Sequence, residues 1–203
     1  MARRRKGRNV NGWLVIDKPS GVTSTDVVNR VRRLLDARKV GHGGTLDPLA
    51  TGLLPLAFGE ATKTVAWVME GDKTYRFTVR WGEATDSDDA EGEVVSRSDR
   101  RPSREEIEAV LPRFIGLIDQ TPPIYSAIKV DGQRAYDLAR DGEEIALKSR
   151  KVHIIDFKLI EMPDRDHGIF EVTSGKGAYM RSLARDLGEA LGCLGHIAQL
   201  RRL

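Results

Sequence analysis

The chain has 203 residues, 40% of them apolar and 31% charged, with a formal net charge of +3. That length can bury a sizeable core in one large domain or a two-lobed one, and no apolar run is long enough to span a bilayer as a helix. Cys193 is the single cysteine, which excludes an intramolecular disulfide and a cysteine-based zinc cluster.

The chain opens on a basic run, Met1 to Arg8, with no apolar segment of signal-peptide type behind it. Residues 1–11 are therefore expected to be a flexible basic arm, and the protein to be cytoplasmic with no membrane partner. Gly12 to Asp17 reads as a strand. Thr23 or Ser24 can cap a helix that carries Val27, Val28, Val31, Leu34 and Leu35 on one side. A tract with four glycines follows, Gly41-His42-Gly43-Gly44-Thr45-Leu46-Asp47-Pro48-Leu49-Ala50-Thr51-Gly52, and then an apolar strand, Leu53 to Gly59. A helix is expected near Glu60 to Met69. Lys73 to Trp81 alternates as a strand with Tyr75, Phe77, Val79 and Trp81 on one face. Ser103 and Glu106 form a capping box for a helix through Leu111. Residues 124–130 and 143–148 read as extended, with a short helix from Arg134 to Arg140 between them. Val152 to Ile160 and Ile169 to Ser174 are expected strands. Ala178 to Leu191 reads as a helix with Met180, Leu183, Ala184, Leu187 and Leu191 on its apolar face, which leaves Arg181 off that face. Without regular βαβ alternation the class is α+β: a mixed, mostly antiparallel sheet with flanking helices.

Charge is unevenly distributed. Arg30, Arg32, Arg33, Arg38 and Lys39 lie in or after the first helix, Lys148, Arg150 and Lys151 form a second cluster, and Arg201 and Arg202 close the chain. Acidic residues gather from Asp86 to Glu93. Such polarity fits a polyanion on one face, or simply solvated charge. The acidic run faintly resembles a calcium loop, but the fifth and sixth positions that need a ligand and a glycine hold Ala90 and Glu91, so no metal is expected.

The glycine tract presents one carboxylate. Pro48 biases Asp47 toward extended geometry, and the glycines permit a shaped backbone close to a ligand. Asp47 can be a catalytic acid or a turn aspartate that bonds its own backbone. Gly43 to Gly52 resembles the catalytic motif of the TruB family, tRNA pseudouridine synthases that act on uridine 55 of the T loop. Three further segments match in order: Leu14-Val15-Ile16-Asp17-Lys18-Pro19-Ser20-Gly21, Asp72-Lys73-Thr74-Tyr75-Arg76, and Ser174-Gly175-Lys176-Gly177-Ala178-Tyr179-Met180-Arg181.

The resemblance implies a pseudouridine synthase catalytic domain over residues 12–203, with an RNA-binding thumb around 124–151 and a C-terminal PUA-like RNA-binding domain absent from this chain. It implies Asp47, Tyr75 and Arg181 as catalytic residues, with Arg181 orienting the Asp47 carboxylate and Tyr75 stacking on the base. It implies His42, Tyr179 and Leu200 as substrate-binding residues, His42 filling the space of a flipped uridine, and Lys18 and Pro19 as support for the Asp47 loop. Base isomerisation is neither redox nor transfer to a second molecule, so no cofactor is expected. The expected partner is the tRNA T stem-loop, with no obligatory protein partner and a monomeric chain. A non-catalytic T-arm chaperone would use the same basic face without needing Asp47. A metal-dependent hydrolase using the acidic turn is a weaker third reading. The residues do not choose between Asp47 attack on C1′ and removal of the C2′ proton.

Overall fold

The computed structural model describes residues 7–126, 129–130, 133–134 and 147–203, with backbone only at 129–130 and 133–134. The chain divides into two compact units, residues 1–72 with 201–203, and residues 73–200.

The first unit is organised on a central strand. β1 (Gly12–Lys18) pairs antiparallel with β3 (Thr51–Phe58), from Gly12↔Phe58 to Lys18↔Gly52. The other edge of β3 takes β2 (Val40–His42) antiparallel, and then Arg201 and Arg202 in parallel register with Thr51 and Gly52. Strand β3 buries Leu54, Leu56, Ala57 and Phe58. α1 (Ser24–Leu34) begins at Thr23, whose hydroxyl accepts from Asp26 N at 3.0 Å while the Asp26 carboxylate accepts from Thr23 N. That capping box satisfies two helix-end donors. Only Val27 of the expected apolar stripe is buried, and Leu34 is 76% exposed. The expected helix after β3 is a 3₁₀ turn, Gly59–Thr64, continued by α2 (Val65–Glu70). In the N-terminal arm, Arg8 N donates to Asp36 O at 2.6 Å and Arg8 O accepts from Arg38 N at 2.9 Å.

The second unit is built on an antiparallel run in the order β4 (Lys73–Trp81), β11 (His167–Ser174), β10 (Arg150–Asp164), β7 (Gly116–Gln120), with residues 195–200 of β12 (Gly195–Arg202) beside β4. The expected face of β4 is the buried one: Phe77, Val79 and Trp81 enter the core, with Tyr75 half-buried at the strand's start. Phe77 stacks on Phe170, with ring centroids 5.7 Å apart, and Trp81 meets Phe170 edge-on at 6.0 Å. Phe157 joins them from β10. A hairpin of β5 (Glu83–Thr85) and β6 (Val94–Arg97) holds the acidic turn. α3 (Arg104–Val110) starts on the expected Ser103–Glu106 capping box. α4 (Met180–Ala190) packs closely on the chain that follows it: a Cβ on Gly188 would lie 2.6 Å from Gly195 N.

Sequence reading and structure differ at several places. Gln133–Arg134 is the strand β9, paired with Lys129–Val130 as β8, where a helix start was expected; residues 135–140 of that helix lie outside the described residues. Strands β7 and β12 had no signal strong enough to predict them. Of the expected thumb, residues 127–128, 131–132 and 135–146 also lie outside the described residues.

Candidate active site

In the first unit the Asp47 loop is fastened on both sides of the acid. On the N-terminal side, Ser24 Oγ accepts from Leu46 N at 2.9 Å and donates to Leu46 O at 3.0 Å. Ser24 is 2% exposed. On the C-terminal side, Pro48 O accepts from Lys18 Nζ at 3.1 Å and from Gly21 N at 2.9 Å. Lys18 is fully buried, and its ammonium also donates to Pro19 O at 2.9 Å and Val22 O at 2.8 Å. A buried cation is tolerated when its donors are matched to acceptors, and this one meets three carbonyls. Pro19 itself is exposed and takes part through its carbonyl. Asp47 is half-buried, and Ala50 N donates to its carbonyl at 3.1 Å.

A third clamp was not expected. Arg202 is 4% exposed, and its guanidinium donates to Leu53 O at 2.8 Å and to Gly44 O at 3.1 Å. The charge pattern alone predicts Arg201 and Arg202 as part of a basic surface or as solvated charge. Instead Arg201 forks onto the Asp17 carboxylate at 2.9 and 2.6 Å, and Arg202 holds the glycine tract. Gly52 makes this possible. Its φ is +103°, and a Cβ there would lie 2.0 Å from Arg202 O, so only glycine lets the two backbones meet.

His42 ends β2, opposite Leu56. The sequence offered no strand context for it, because three residues are too few to show alternation. It is half-buried, with Nδ1 unpartnered among the described residues. Burial, with the Arg202 charge adding to it, holds the imidazole below its ordinary pKa and so neutral at pH 7.

In the second unit Arg181 is 6% exposed although it lies off the apolar face of α4. The far side of the helix is covered as well. Arg181 Nη1 donates to Ser87 O at 3.1 Å, Nη2 donates to Tyr125 O at 2.9 Å, and Nη1 stands 3.5 Å from the Asp89 carboxylate. Periodicity could not show this, because the cover comes from the acidic turn and from residues 121–126. One turn further along α4, Arg185 donates to Asp88 at 2.8 Å, to Asp186 at 2.9 Å and to Thr121 O at 2.8 Å. The acidic turn is thus bound by arginines. Inside it, Ser87 Oγ donates to Asp89 Oδ1 at 2.6 Å and Thr85 Oγ1 donates to Asp89 O at 2.7 Å. Tyr179 occupies the N-cap position of α4 without a side-chain cap, half-buried, with the Arg150 guanidinium 4.9 Å over its ring. Arg150 also donates to Gly177 O, so part of the expected basic cluster is structural. Leu200 is buried in β12. Asp89, Arg185, Ser24, Arg202 and Gln120 carry contacts that the sequence reading did not assign.

Burial pushes the Asp88 carboxyl up to about 6 against the pull of Arg185 and Arg181. Between about pH 4 and 6 the native state therefore holds a proton there that the unfolded chain has released. Stability from this group is full below the unfolded value near 4 and is lost as pH rises toward 6. Urea unfolding of wild type and Asp88→Asn should diverge over that window, the wild type losing up to about 1.4 kcal/mol more per pH unit. Parallel pH dependences would show that Asp88 has an ordinary carboxylate pKa.

Residues 32–180 match the family model described as TruB family pseudouridylate synthase, N-terminal domain. The chain belongs to the TruB family of pseudouridylate synthases. Lys18, Ser24, Arg181 and Leu200 fall outside that match, but full-length comparisons include them. The chain is 63% identical over 203 residues to tRNA pseudouridine synthase B of Rhodospirillum rubrum, covering 100% of this chain and 66% of that protein. It is 64% identical over 201 residues to tRNA pseudouridine synthase B of Gluconacetobacter diazotrophicus, covering 99% of this chain and 66% of that protein. It thus spans just under two thirds of the length of these TruB relatives. Among solved structures it resembles a chain of a Cbf5-Nop10-Gar1 complex, with a TM-score of 0.72 and 28% identity over 98% of this chain and 48% of that one. A second such chain, with a TM-score of 0.69 and 27% identity over 94% of this chain and 46% of that one, belongs to an H/ACA RNP bound to a substrate RNA containing 2'-deoxyuridine.

Proposed function

We propose that this chain isomerises uridine 55 in the T loop of tRNA to pseudouridine, acting on a flipped-out nucleotide. The observation that carries the reading is 63% identity over the whole chain to a tRNA pseudouridine synthase B, with the four segments of the family pattern intact.

In this reading Asp47 is the catalytic acid. The N1–C1′ bond breaks, the uracil turns, C5 bonds to C1′, and the C5 proton leaves while N1 gains one. The carboxylate either attacks C1′ or removes the C2′ proton. A loop fastened at Leu46, Pro48, Gly44 and Leu53 suits a group whose position decides the rate. Arg181 is the catalytic cation, a guanidinium whose planar fork orients an anionic group. Tyr75 stacks on the base and helps remove the C5 proton. His42 takes the place of the extruded base, a role that a neutral ring fills without burying charge. Tyr179 and Leu200 line the uridine pocket, and Lys18 and Pro19 hold the acid's loop. The substrate is the T stem-loop. The chain works as a cytoplasmic monomer, without cofactor and without an obligatory protein partner.

Release of tritium from C5-labelled uridine in a T-arm stem-loop tests the reading. Release by the chain alone is expected. Stem-loop binding without release would favour the T-arm chaperone.

A further inference from the structure

Gln120, the last residue of β7, is 1% exposed. Both ends of its carboxamide are used on the backbone of a single residue. Nε2 donates to Tyr179 O at 3.1 Å, and Tyr179 N donates to Oε1 at 2.8 Å. Tyr179 is the residue that opens α4, and no side chain of its own caps the helix. Its carbonyl also accepts the helix's first internal bond, from Leu183 N at 3.1 Å. A buried amide that closes a two-bond ring on one residue holds the peptide groups on both sides of that residue. Arg181 follows two residues later. The chain after Gln120 grips the same turn again. Ser182 Oγ and Arg185 Nη2 both donate to Thr121 O at 2.8 Å, and Arg181 Nη2 donates to Tyr125 O at 2.9 Å.

We propose that Gln120 is a positioning residue for base isomerisation: it sets the Tyr179 backbone and, through it, the helical turn that presents Tyr179 and Arg181 to the uridine. This rests on the isomerase reading above. Glutamine suits the place because the site needs one donor and one acceptor at fixed reach. Methionine offers neither. A carboxylate can accept from Tyr179 N but turns a second acceptor toward Tyr179 O. A neutral carboxylic acid restores the donor.

That difference gives a test that a purely structural role does not pass. C5 tritium release would be measured for wild type, Gln120→Met and Gln120→Glu between about pH 5.5 and 8.5, with urea unfolding of each protein; burial raises the pKa of a carboxyl, so the neutral acid is most populated at the acid end. Gln120→Met should lose on the order of tenfold or more in kcat at every pH, with little change in KM, as expected when a reacting group is misplaced rather than lost. Gln120→Glu should approach wild type at the acid end and fall toward Gln120→Met as pH rises. A residue that served stability alone would lower the folded fraction and leave the pH profile of kcat parallel to wild type. Two folded variants whose kcat profiles superpose on wild type would overturn the proposal. If Gln120→Met does not fold, the Gln120→Glu profile decides: a ratio to wild type that falls with pH supports the assignment and a flat ratio rejects it. A wild-type chain that releases no tritium would instead refute the isomerase reading on which it rests.

Discussion

Asp47→Asn is expected to bind a T-arm stem-loop as tightly as wild type and to release C5 tritium roughly 10³-fold more slowly, or not at all. The expectation joins chemistry to architecture. Asparagine keeps the size of the side chain but can neither act as a nucleophile nor accept a proton at neutral pH. The fastenings on either side of it use other groups and should persist. Ser24 holds both polar atoms of the Leu46 backbone, Lys18 and Gly21 hold the Pro48 carbonyl, and Arg202 holds the carbonyls of Gly44 and Leu53. RNA affinity is carried mainly by phosphate contacts, which the substitution leaves in place. Filter binding and single-turnover tritium release on the same preparations separate the two quantities. Turnover within tenfold of wild type would remove Asp47 from the catalytic role.

The parts of this molecule that were legible in the sequence share a property: their signals are local. The capping boxes at Thr23–Asp26 and Ser103–Glu106 join residues three apart, so the sequence carries them whole. The alternation of Tyr75, Phe77, Val79 and Trp81 gave the buried face of β4. The glycine tract announced a shaped loop. What stayed hidden depends on long-range contact. Arg202 reaches the Gly44 carbonyl across 158 positions and so could not be told from a surface cation. Ser24 was legible only as a helix-end residue, whereas its buried hydroxyl serves Leu46, 22 positions away. The acidic turn, where the sequence predicts no metal, gives no local sign of what its carboxylates bind. The structure turns Asp88 to Arg185 and brings Asp89 near Arg181, contacts across more than 90 positions. Gln120 gave no signal at all, since its strand is short and its partner is a backbone 59 positions away.

Arg181→Lys should be nearly as damaging as loss of the acid, for a different reason. The guanidinium is 6% exposed and spans two carbonyls at once, Ser87 O through Nη1 and Tyr125 O through Nη2, with the Asp89 carboxylate 3.5 Å from Nη1. Lysine keeps the charge but ends in a single nitrogen, and it lacks the planar fork that reaches both sides. One of the two carbonyls then loses its donor in a buried setting, and the ammonium must settle where only part of its hydrogen-bonding demand is met. Each buried polar group left unmatched costs about 1–3 kcal/mol, so urea unfolding should report a loss of roughly 2–4 kcal/mol. The carbonyls that lose their fork belong to the acidic turn and to residues 121–126, and both elements should loosen against α4. In the isomerase reading the same change moves a catalytic cation, and single-turnover tritium release should fall by about 10²-fold or more. The conserved charge makes the comparison informative. If net charge were what mattered, lysine would serve and both quantities would stay near wild type. If the fork matters, stability and turnover fall together while the salt dependence of stem-loop binding is unchanged, because neither variant alters the count of cations offered to phosphate.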